Sequence, residues 1–438
     1  MSTQTPAKSR SFIRDAASVF SSKLVRIALT FVSGVLLARL LGPERKGILS
    51  TVLIYPSLIL SLSELGVRQA ATYHLGKGFH NERNVVGTVM FLLVASSLFG
   101  VAVCTGIYFW VDNPNFTLPM IVLALASIPV TLSVTFSEGI LLGKEQISSF
   151  SRVGWAMPLA RLVGVLAFVW LLSWGIVGAL VGSLIAGGVM ALYILWLVAR
   201  STALNLQFNP PLMKELLSLG FVYAIALFTI GLNYKVDIVI LERLASPEDI
   251  GQYTLGVGIA ELLWQLPAAL GVVVFSRSAN TKDSEAFTQN VLRLLRVTFV
   301  AAVAGALLLA LVAGLFIPLV YGEAYRPSVG VLRLLLPGIV AFSIFRVLNV
   351  DLAGRGRPAV ALWSVAPAVA LNVVLNFLLI PRYGIEGAAV ASTLSYTAAV
   401  IFYTVAYAKV VEVPLAAMVR YRRSDFAFLG KLRQFNKG

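Results

Sequence analysis

The chain has 438 residues, of which 58% are hydrophobic and only 13% are charged. The formal charge of +15 lies mostly at the ends of apolar runs and in a basic tail, so it does not indicate nucleic-acid binding. The single cysteine, Cys104, lies within an apolar run and excludes an internal disulfide.

The apolar residues form runs long enough to cross a bilayer, which takes roughly 18 or more residues. We predict twelve spans, six in each half, at 18–41, 47–65, 85–111, 117–142, 153–173, 176–199, 215–241, 248–274, 297–320, 328–350, 358–380 and 384–408. No connection exceeds about twenty-five residues, which leaves no room for a soluble catalytic domain. The sequence therefore predicts an all-α polytopic membrane protein.

Three peptides recur in the same order along the chain. Residues 39–47 (RLLGPERKG) match 243–251 (RLASPEDIG), 141–146 (LLGKEQ) match 352–357 (LAGRGR), and 174–183 (WGIVGALVGS) match 383–392 (YGIEGAAVAS). We interpret the chain as two copies of one unit, an organisation common in transporters. Because six spans is an even number, both copies insert with the same orientation. The predicted lobes are 18–205 and 206–412, between a cytoplasmic N-terminal segment (1–17) and a basic cytoplasmic tail (413–438).

The distribution of Lys and Arg predicts the orientation in the membrane. Most of these residues lie in connections that are cytoplasmic if both termini are cytoplasmic. The tail interleaves basic and aromatic residues, which suits a segment lying on anionic lipid. A solvated tail that only helps to set the topology is an equal alternative.

Short local motifs predict helix starts and close helix packing. Residues 246–249 (SPED) combine a capping serine, a proline for the first helical position and acids near the positive end of the helix dipole, and residues 42–44 (GPE) follow the same pattern. Small residues four positions apart let helices approach closely. Such pairs are Gly178 with Gly182, and Gly387 with Ala391.

Charged residues inside the predicted spans are the candidate functional residues. Burying a central Arg, Lys or Asp costs about 2.5–3.5 kcal/mol on the insertion scale, so each needs a partner, a watery cavity or a route to the interface. Arg26 and Arg161 lie deep within spans one and five, Lys235 lies within span seven, and Glu261 lies near the middle of span eight. Buried ion pairs that only specify packing are the alternative to a basic, water-filled cavity between the two copies.

Two further charges belong to this candidate set. Asp237 follows Lys235 by two positions, which places the two side chains on different sides of a helix and predicts separate partners. Arg333 and Arg346 lie near opposite ends of span ten, where each can extend to the interface; for Arg346 the alternative is binding of an anionic substrate. We predict substrate binding by Arg26, Arg161, Lys235 and Arg346, and ion coupling or charge pairing by Asp237 and Glu261.

Basic residues in a cavity suit an anionic substrate, because Arg and Lys both bind phosphate. Residues 234–277 (YKVDIVILERLASPEDIGQYTLGVGIAELLWQLPAALGVVVFSR) strongly resemble the polysaccharide flippases of the multidrug/oligosaccharidyl-lipid/polysaccharide (MOP) exporter superfamily. Residues 380–397 (IPRYGIEGAAVASTLSYT) and 63–78 (SELGVRQAATYHLGKG) support this resemblance. It covers about residues 15–412.

The resemblance implies two six-helix lobes around a central cavity and alternating access. It also implies transport of undecaprenyl-diphosphate-linked oligosaccharide, an O-antigen-type repeat unit, to the outer leaflet of a bacterial inner membrane. The family's cavity arginines correspond by position to Arg26. Lipid II flippases of the superfamily have fourteen spans and basic residues in span eight, where this chain has Glu261 and Gln265. This departure argues against lipid II as the substrate.

No motif for an enzyme, cofactor or metal competes with transport. The only histidines, His74 and His80, lie after span two without a nearby cysteine or carboxylate cluster, and no phosphate-binding GxxxxGK[ST] loop occurs. We expect no cofactor, no metal and a monomer. Expected partners are an anionic lipid-linked oligosaccharide, membrane lipids, and polysaccharide polymerase and chain-length machinery. A cation-coupled multidrug exporter of the same superfamily, with Asp237 and Glu261 as coupling acids, remains the alternative.

Overall fold

The computed structural model describes residues 6–78, 80–265, 267–268, 284–421 and 425, with side chains from residue 23 onward apart from a few positions. The regular secondary structure in this part of the chain is helical, and this part contains no strand. The helices are α1 (Pro6–Ser63), α2 (Val67–Lys77), α3 (Glu82–Val111), α4 (Leu118–Gly143), α5 (Ile147–Gly164), α6 (Gly175–Ser201), α7 (Pro210–Leu244), α8 (Pro247–Ala260), α9 (Ser284–Tyr321), α10 (Ser328–Gly354), α11 (Ala359–Val411) and α12 (Leu415–Val419).

The helices agree with the predicted membrane spans. Within the described ranges, nine helices are long and apolar enough to cross a membrane. Two helices each hold two predicted spans, because Gly42 interrupts α1 and Gly384 interrupts α11 with non-helical backbone. The eighth predicted span, 248–274, lies only partly within the described residues. The predicted all-α polytopic fold is confirmed.

The recurring peptides occupy corresponding local positions, which supports the interpretation of two copies. Gly175 and Gly384, in the third matched pair, both have left-handed backbone, with φ of 58° and 56°. This conformation is accessible to glycine at little cost, so both turns need the residue that the sequence repeats. The second matched pair marks helix ends in both copies, because α4 ends at Gly143 and α10 ends at Gly354.

The predicted helix start at residues 246–249 is confirmed by its hydrogen bonds. The side chain of Ser246 accepts a bond from the backbone N–H of Asp249, and the carboxylate of Asp249 accepts one from the backbone N–H of Ser246. This reciprocal capping box satisfies two helix-terminal donors, and Pro247 occupies the first helical turn. At residues 42–44 the non-helical Gly42 precedes Pro43, where the second half of α1 begins.

The chain divides into two compact units, residues 1–228 (unit 1) and 229–438 (unit 2), with the division inside α7. In unit 1, α4 packs on α6 and α2, while α5 packs on α1 and α6. In unit 2, α10 is central and packs on α8, α9 and α11. The lobe boundary at residue 206 stays a prediction from the sequence.

The small residues at the starts of α6 and of the second half of α11 permit close backbone packing, as predicted. A Cβ atom added to Gly182 would lie 2.9 Å from the carbonyl carbon of Gly164, and one added to Gly178 would lie 2.5 Å from the carbonyl oxygen of Phe168. In unit 2, a Cβ added to Gly387 would lie 2.4 Å from the carbonyl oxygen of Leu379. A larger residue would force these segments apart.

The tail contacts the helices of unit 2 at Asp425, which is only 2% exposed. The guanidinium of Arg296 on α9 donates to both carboxylate oxygens, at 2.8 and 2.9 Å, and also to the carbonyl oxygen of Ala417 at 2.8 Å. At this residue the tail is neither solvated nor lying on lipid, because a paired arginine holds the carboxylate within the unit. Residues 426–438 lie outside the described part.

Candidate functional site

Three of the predicted charged residues come together in unit 2. Glu261 lies in a 3-10 turn, Glu261–Trp264, that tightens the chain directly after α8. Arg346 on α10 and Lys235 on α7 are the two cations whose charges act on the Glu261 carboxylate. We call Lys235, Glu261 and Arg346 the charge cluster. All three side chains are half-buried, so they remain partly accessible while being held by their helices.

Aromatic rings form one wall of the charge cluster. The guanidinium carbon of Arg346 lies 4.6 Å from the ring centroid of Trp264 and 5.8 Å from that of Tyr234, within the range of cation–π attraction. These rings therefore explain the orientation of the Arg346 guanidinium.

The rings that contact Arg346 belong to a larger set with centroids 5.1 to 6.2 Å apart. This aromatic cluster consists of Tyr234, Trp264, Phe342 and Tyr396. Trp264 is fixed in place because its indole N–H donates to the carbonyl oxygen of Ile339 at 3.0 Å. Three helices and the turn after α8 contribute to the wall, so the orientation of Arg346 depends on the packing of the whole unit.

Asp237 has a separate environment, in which its hydrogen-bonding side-chain partners are hydroxyl groups. The carboxylate is 1% exposed and accepts hydrogen bonds from the Tyr253 hydroxyl and, at 2.9 Å, from the Ser392 hydroxyl. The backbone N–H of Ile238 donates to its other oxygen at 3.1 Å. Among the described side chains, no Lys or Arg nitrogen lies within 4.0 Å of this carboxylate.

Asp237 and Glu261 thus have different partners. The hydroxyls of Tyr253 and Ser392 face Asp237, while the charges of Lys235 and Arg346 face Glu261. This arrangement confirms the prediction that Lys235 and Asp237, two positions apart on α7, reach separate partners. The charge of Asp237 still acts on Glu261, so the two acids are electrostatically coupled.

Arg26 and Arg161, the other two predicted substrate-binding residues, both lie in unit 1. The side chain of Arg26 is exposed on α1, and its charge acts on Glu138 of α4. Arg68 also pairs with Glu138, at 3.5 Å. Glu138 therefore belongs to a second group of charges.

The side chain of Arg161 is exposed near the end of α5. The chain continues from there into a π-helical segment, Val165–Leu171. Such π-helical segments are frequent at functional sites.

Residues that sequence reasoning did not connect also meet in unit 1. His80 Nε2 lies 2.8 Å from a carboxylate oxygen of Glu215, and the imidazole ring of His74 lies beside that of His80, with centroids 5.4 Å apart. One ligand atom from each residue lies within 4.8 Å of the others. The sequence predicted no metal site because Glu215 is 135 positions from His80. The available signal was that the only two histidines lie six positions apart after the second predicted span.

The aromatic cluster and the hydroxyl partners of Asp237 were missed for the same reason. Tyr253 and Ser392 are 139 positions apart in the sequence, and Asp237 and Ser392 are 155 positions apart. The sequence contained one clue to them, since Tyr253 and Trp264 fall within the segment that carried the family resemblance.

Comparison with known proteins identifies a family. A family model described as polysaccharide biosynthesis protein matches residues 12–282. An uncharacterised membrane protein of Methanocaldococcus jannaschii is 21% identical over 410 residues, covering 88% of this chain and 95% of that protein. A candidate O-antigen transporter of Shigella flexneri is 22% identical over 370 residues, covering 81% of this chain and 88% of that protein.

Solved structures show the same fold at low sequence identity. An inward-facing multidrug resistance transporter of the MATE family, in the MOP superfamily, aligns with a TM-score of 0.70 and 16% identity, over 89% of this chain and 98% of the other. The lipid II flippase MurJ in an inward closed conformation aligns with a TM-score of 0.73 and 14% identity, over 93% and 89%. The protein is a multi-pass membrane protein with the MOP fold, and it belongs to the polysaccharide biosynthesis protein family.

Proposed function

We propose that this protein moves undecaprenyl-diphosphate-linked oligosaccharide from the cytoplasmic to the outer leaflet of a bacterial inner membrane by alternating access. Family membership and the Shigella flexneri relative support a role in polysaccharide export. The positive-inside distribution of Lys and Arg supports cytoplasmic termini.

The observation that carries this proposal is the charge cluster beside the aromatic cluster. Arg346 has a planar guanidinium that suits bidentate phosphate binding, and Lys235 adds a second positive charge. The rings of Tyr234 and Trp264 offer flat apolar surfaces next to these cations, where sugar rings can pack. Glu261 is the acid on which the charges of both cations act, so a diphosphate would bind these cations in competition with it.

Arg26 and Arg161 extend the proposed substrate path in unit 1. Both side chains are exposed at depths where a charge in contact with hydrocarbon is costly, which supports contact with water or an anionic substrate. We assign Arg26 to the diphosphate, following its correspondence to the family's cavity arginines, and Arg161 to acidic sugars.

The test is translocation in liposomes that contain a diphosphate-linked oligosaccharide with a fluorescent sugar. We expect Arg26→Ala and Arg346→Ala to slow exposure of the sugar at the opposite leaflet by at least about tenfold, since each removes a charge-assisted contact. Arg333→Ala, on the same helix as Arg346, is the matched control and should translocate normally. Full activity of both variants would contradict the assigned site, and no glycolipid movement by the native protein would contradict the function.

A second candidate function is export of cationic drugs coupled to an ion gradient. The environment of Asp237 favours it, because a buried carboxylate surrounded by hydroxyls can take up a proton or a small cation. Export of a cationic dye driven by an ion gradient, with no movement of the glycolipid, would establish this alternative. If the glycolipid moves and an ion gradient accelerates it, transport of the glycan is ion-coupled, and Asp237 is the proposed coupling acid.

The proposed transport implies further partners. Polysaccharide polymerase and chain-length machinery must act on the exported repeat unit, and the protein is proposed to work as a monomer among membrane lipids. Cross-linking in cells that make the polysaccharide, followed by mass determination, tests both points. Recovery of a stable homodimer would contradict the monomer.

A further inference from the structure

The only two histidines of the chain converge with a carboxylate that lies far away in sequence. His74 is on α2, His80 is in the turn between α2 and α3, and Glu215 is near the start of α7. The ligand atoms of all three residues lie within 4.8 Å of one another, and His80 Nε2 lies 2.8 Å from Glu215 Oε2. We propose that these residues form a binding site for a zinc ion.

The geometry suits a tetrahedral ion after small side-chain adjustments. Zinc binds histidine nitrogen at about 2.0–2.1 Å, so donor atoms on one tetrahedral ion lie about 3.3 Å apart. This separation falls between the 2.8 Å distance from His80 to Glu215 and the 4.8 Å limit for the whole group. The imidazole rings of His74 and His80 are tilted by only 34°, so both can face one point between them.

The donor set selects the class of metal. Two imidazoles and one carboxylate suit zinc and other borderline transition ions, whereas calcium and magnesium prefer oxygen ligands throughout. His74 is buried, His80 is half-buried and Glu215 is exposed. The inner side of the site is therefore closed by protein, and the outer side is open for a water molecule as fourth ligand.

The helices that carry the ligands are held together without the metal. A Cβ atom added to Gly220 of α7 would lie 2.1 Å from the carbonyl oxygen of Leu65, next to the start of α2. This backbone contact fixes one end of α2 against α7, and the His74–Glu215 group lies toward the other end. Zinc would thus join α2 and the start of α7 at a second point and stabilise unit 1 against local unfolding at this edge.

The competing interpretation is an ion pair between His80 and Glu215 with no metal. Zinc titration of the full-length protein in detergent, purified with a tag free of histidine, distinguishes the two. We expect one saturable zinc ion per chain by calorimetry, a higher unfolding temperature with zinc, and intense visible absorption when cobalt replaces zinc. A chelator should reverse each change.

Variants then locate the ion. His80→Ala and Glu215→Gln should each weaken zinc binding by at least about tenfold and remove the zinc-dependent rise in unfolding temperature. Glu285→Gln, which removes an exposed acid in the first turn of another long helix, is the matched control and should bind zinc normally. His74→Ala is a further test, but His80 and Glu215 are more exposed and their variants should fold.

Absence of saturable zinc binding would overturn the proposal and leave the ion pair. Zinc binding that is unchanged in both His80→Ala and Glu215→Gln would also overturn it, because the ion would then lie elsewhere. Neither result depends on transport, so the zinc site and the proposed function can fail independently.

Discussion

The guanidinium of Arg346 lies over the indole ring of Trp264, with its central carbon 4.6 Å from the ring centroid. The pair joins α10 to the turn after α8, and it places a fixed positive charge beside Glu261. A ring contact keeps the planar guanidinium in one orientation, and bidentate recognition of a phosphate group requires this.

This relationship predicts that Arg346 cannot be replaced by lysine without loss. Lysine keeps the charge but loses the planar fork and most of the ring contact, so Arg346→Lys should transport glycolipid more slowly than the native protein and faster than Arg346→Ala. The cation–π contact contributes about 0.5–2 kcal/mol, so both variants should unfold at a slightly lower temperature. Native transport by Arg346→Lys would show that only the charge matters.

Asp237→Asn should abolish ion-dependent transport while leaving the protein folded. The amide keeps an acceptor oxygen, and the hydroxyls of Tyr253 and Ser392 can reorient, so the hydrogen-bonded packing changes little. The amide carries no negative charge, so it cannot bind the coupling proton or cation as the carboxylate does. Transport with and without an imposed proton or sodium gradient, together with thermal unfolding, checks this prediction.

The control for that experiment is Asp112→Asn. Asp112 is exposed and has left-handed backbone with φ of 45°, a conformation that asparagine also accepts. It should respond to the gradient as the native protein does. If Asp237→Asn responds in the same way as the control, Asp237 has a structural role only.

Arg296→Ala should destabilise the protein strongly. The side chain of Asp425 is 3% exposed and that of Arg296 is 6% exposed, so the substitution removes the arginine that pairs with a buried carboxylate. Breaking a buried ion pair in this way costs about 3–5 kcal/mol. Denaturant unfolding in detergent micelles measures the loss of unfolding free energy.

Two further variants test the origin of that effect. The double variant Arg296→Ala/Asp425→Ala should recover part of the stability, because no buried charge remains unpaired. Arg420→Ala removes an exposed arginine of the same tail and should change the unfolding free energy little. A double variant that is no more stable than Arg296→Ala would contradict the ion pair as the cause.

Gly220→Ala adds a single methyl group but should lower the free energy of unfolding clearly. The added Cβ would lie 2.1 Å from the carbonyl oxygen of Leu65, and backbone atoms cannot move aside as a flexible side chain can. Such overpacking costs about 1–3 kcal/mol. Gly188→Ala is the matched control, since no atom outside its own helix lies within 4 Å of the added Cβ. Equal unfolding temperatures for the two variants would contradict this close packing.

Local features of the structure follow from short stretches of sequence. The capping box at Ser246 and Asp249 needs only residues three positions apart, and it formed as predicted. The division of the long helices at Gly42 and Gly384 likewise follows from a glycine beside membrane-length apolar runs. The separate partners of Lys235 and Asp237 follow from the helical period alone.

The sequence by itself determined the all-α membrane fold, the two copies and the presence of costly charges inside the spans, because hydropathy, helix caps and helical period act over a few turns of chain. Only the tertiary structure decided which charges meet. Asp237 reaches Ser392 across 155 positions, and Glu215 reaches His80 across 135. Such contacts depend on how whole helices pack, and small residues such as Gly220 set that packing by letting backbones approach closely. Local sequence patterns do not encode contacts between residues so far apart in the chain.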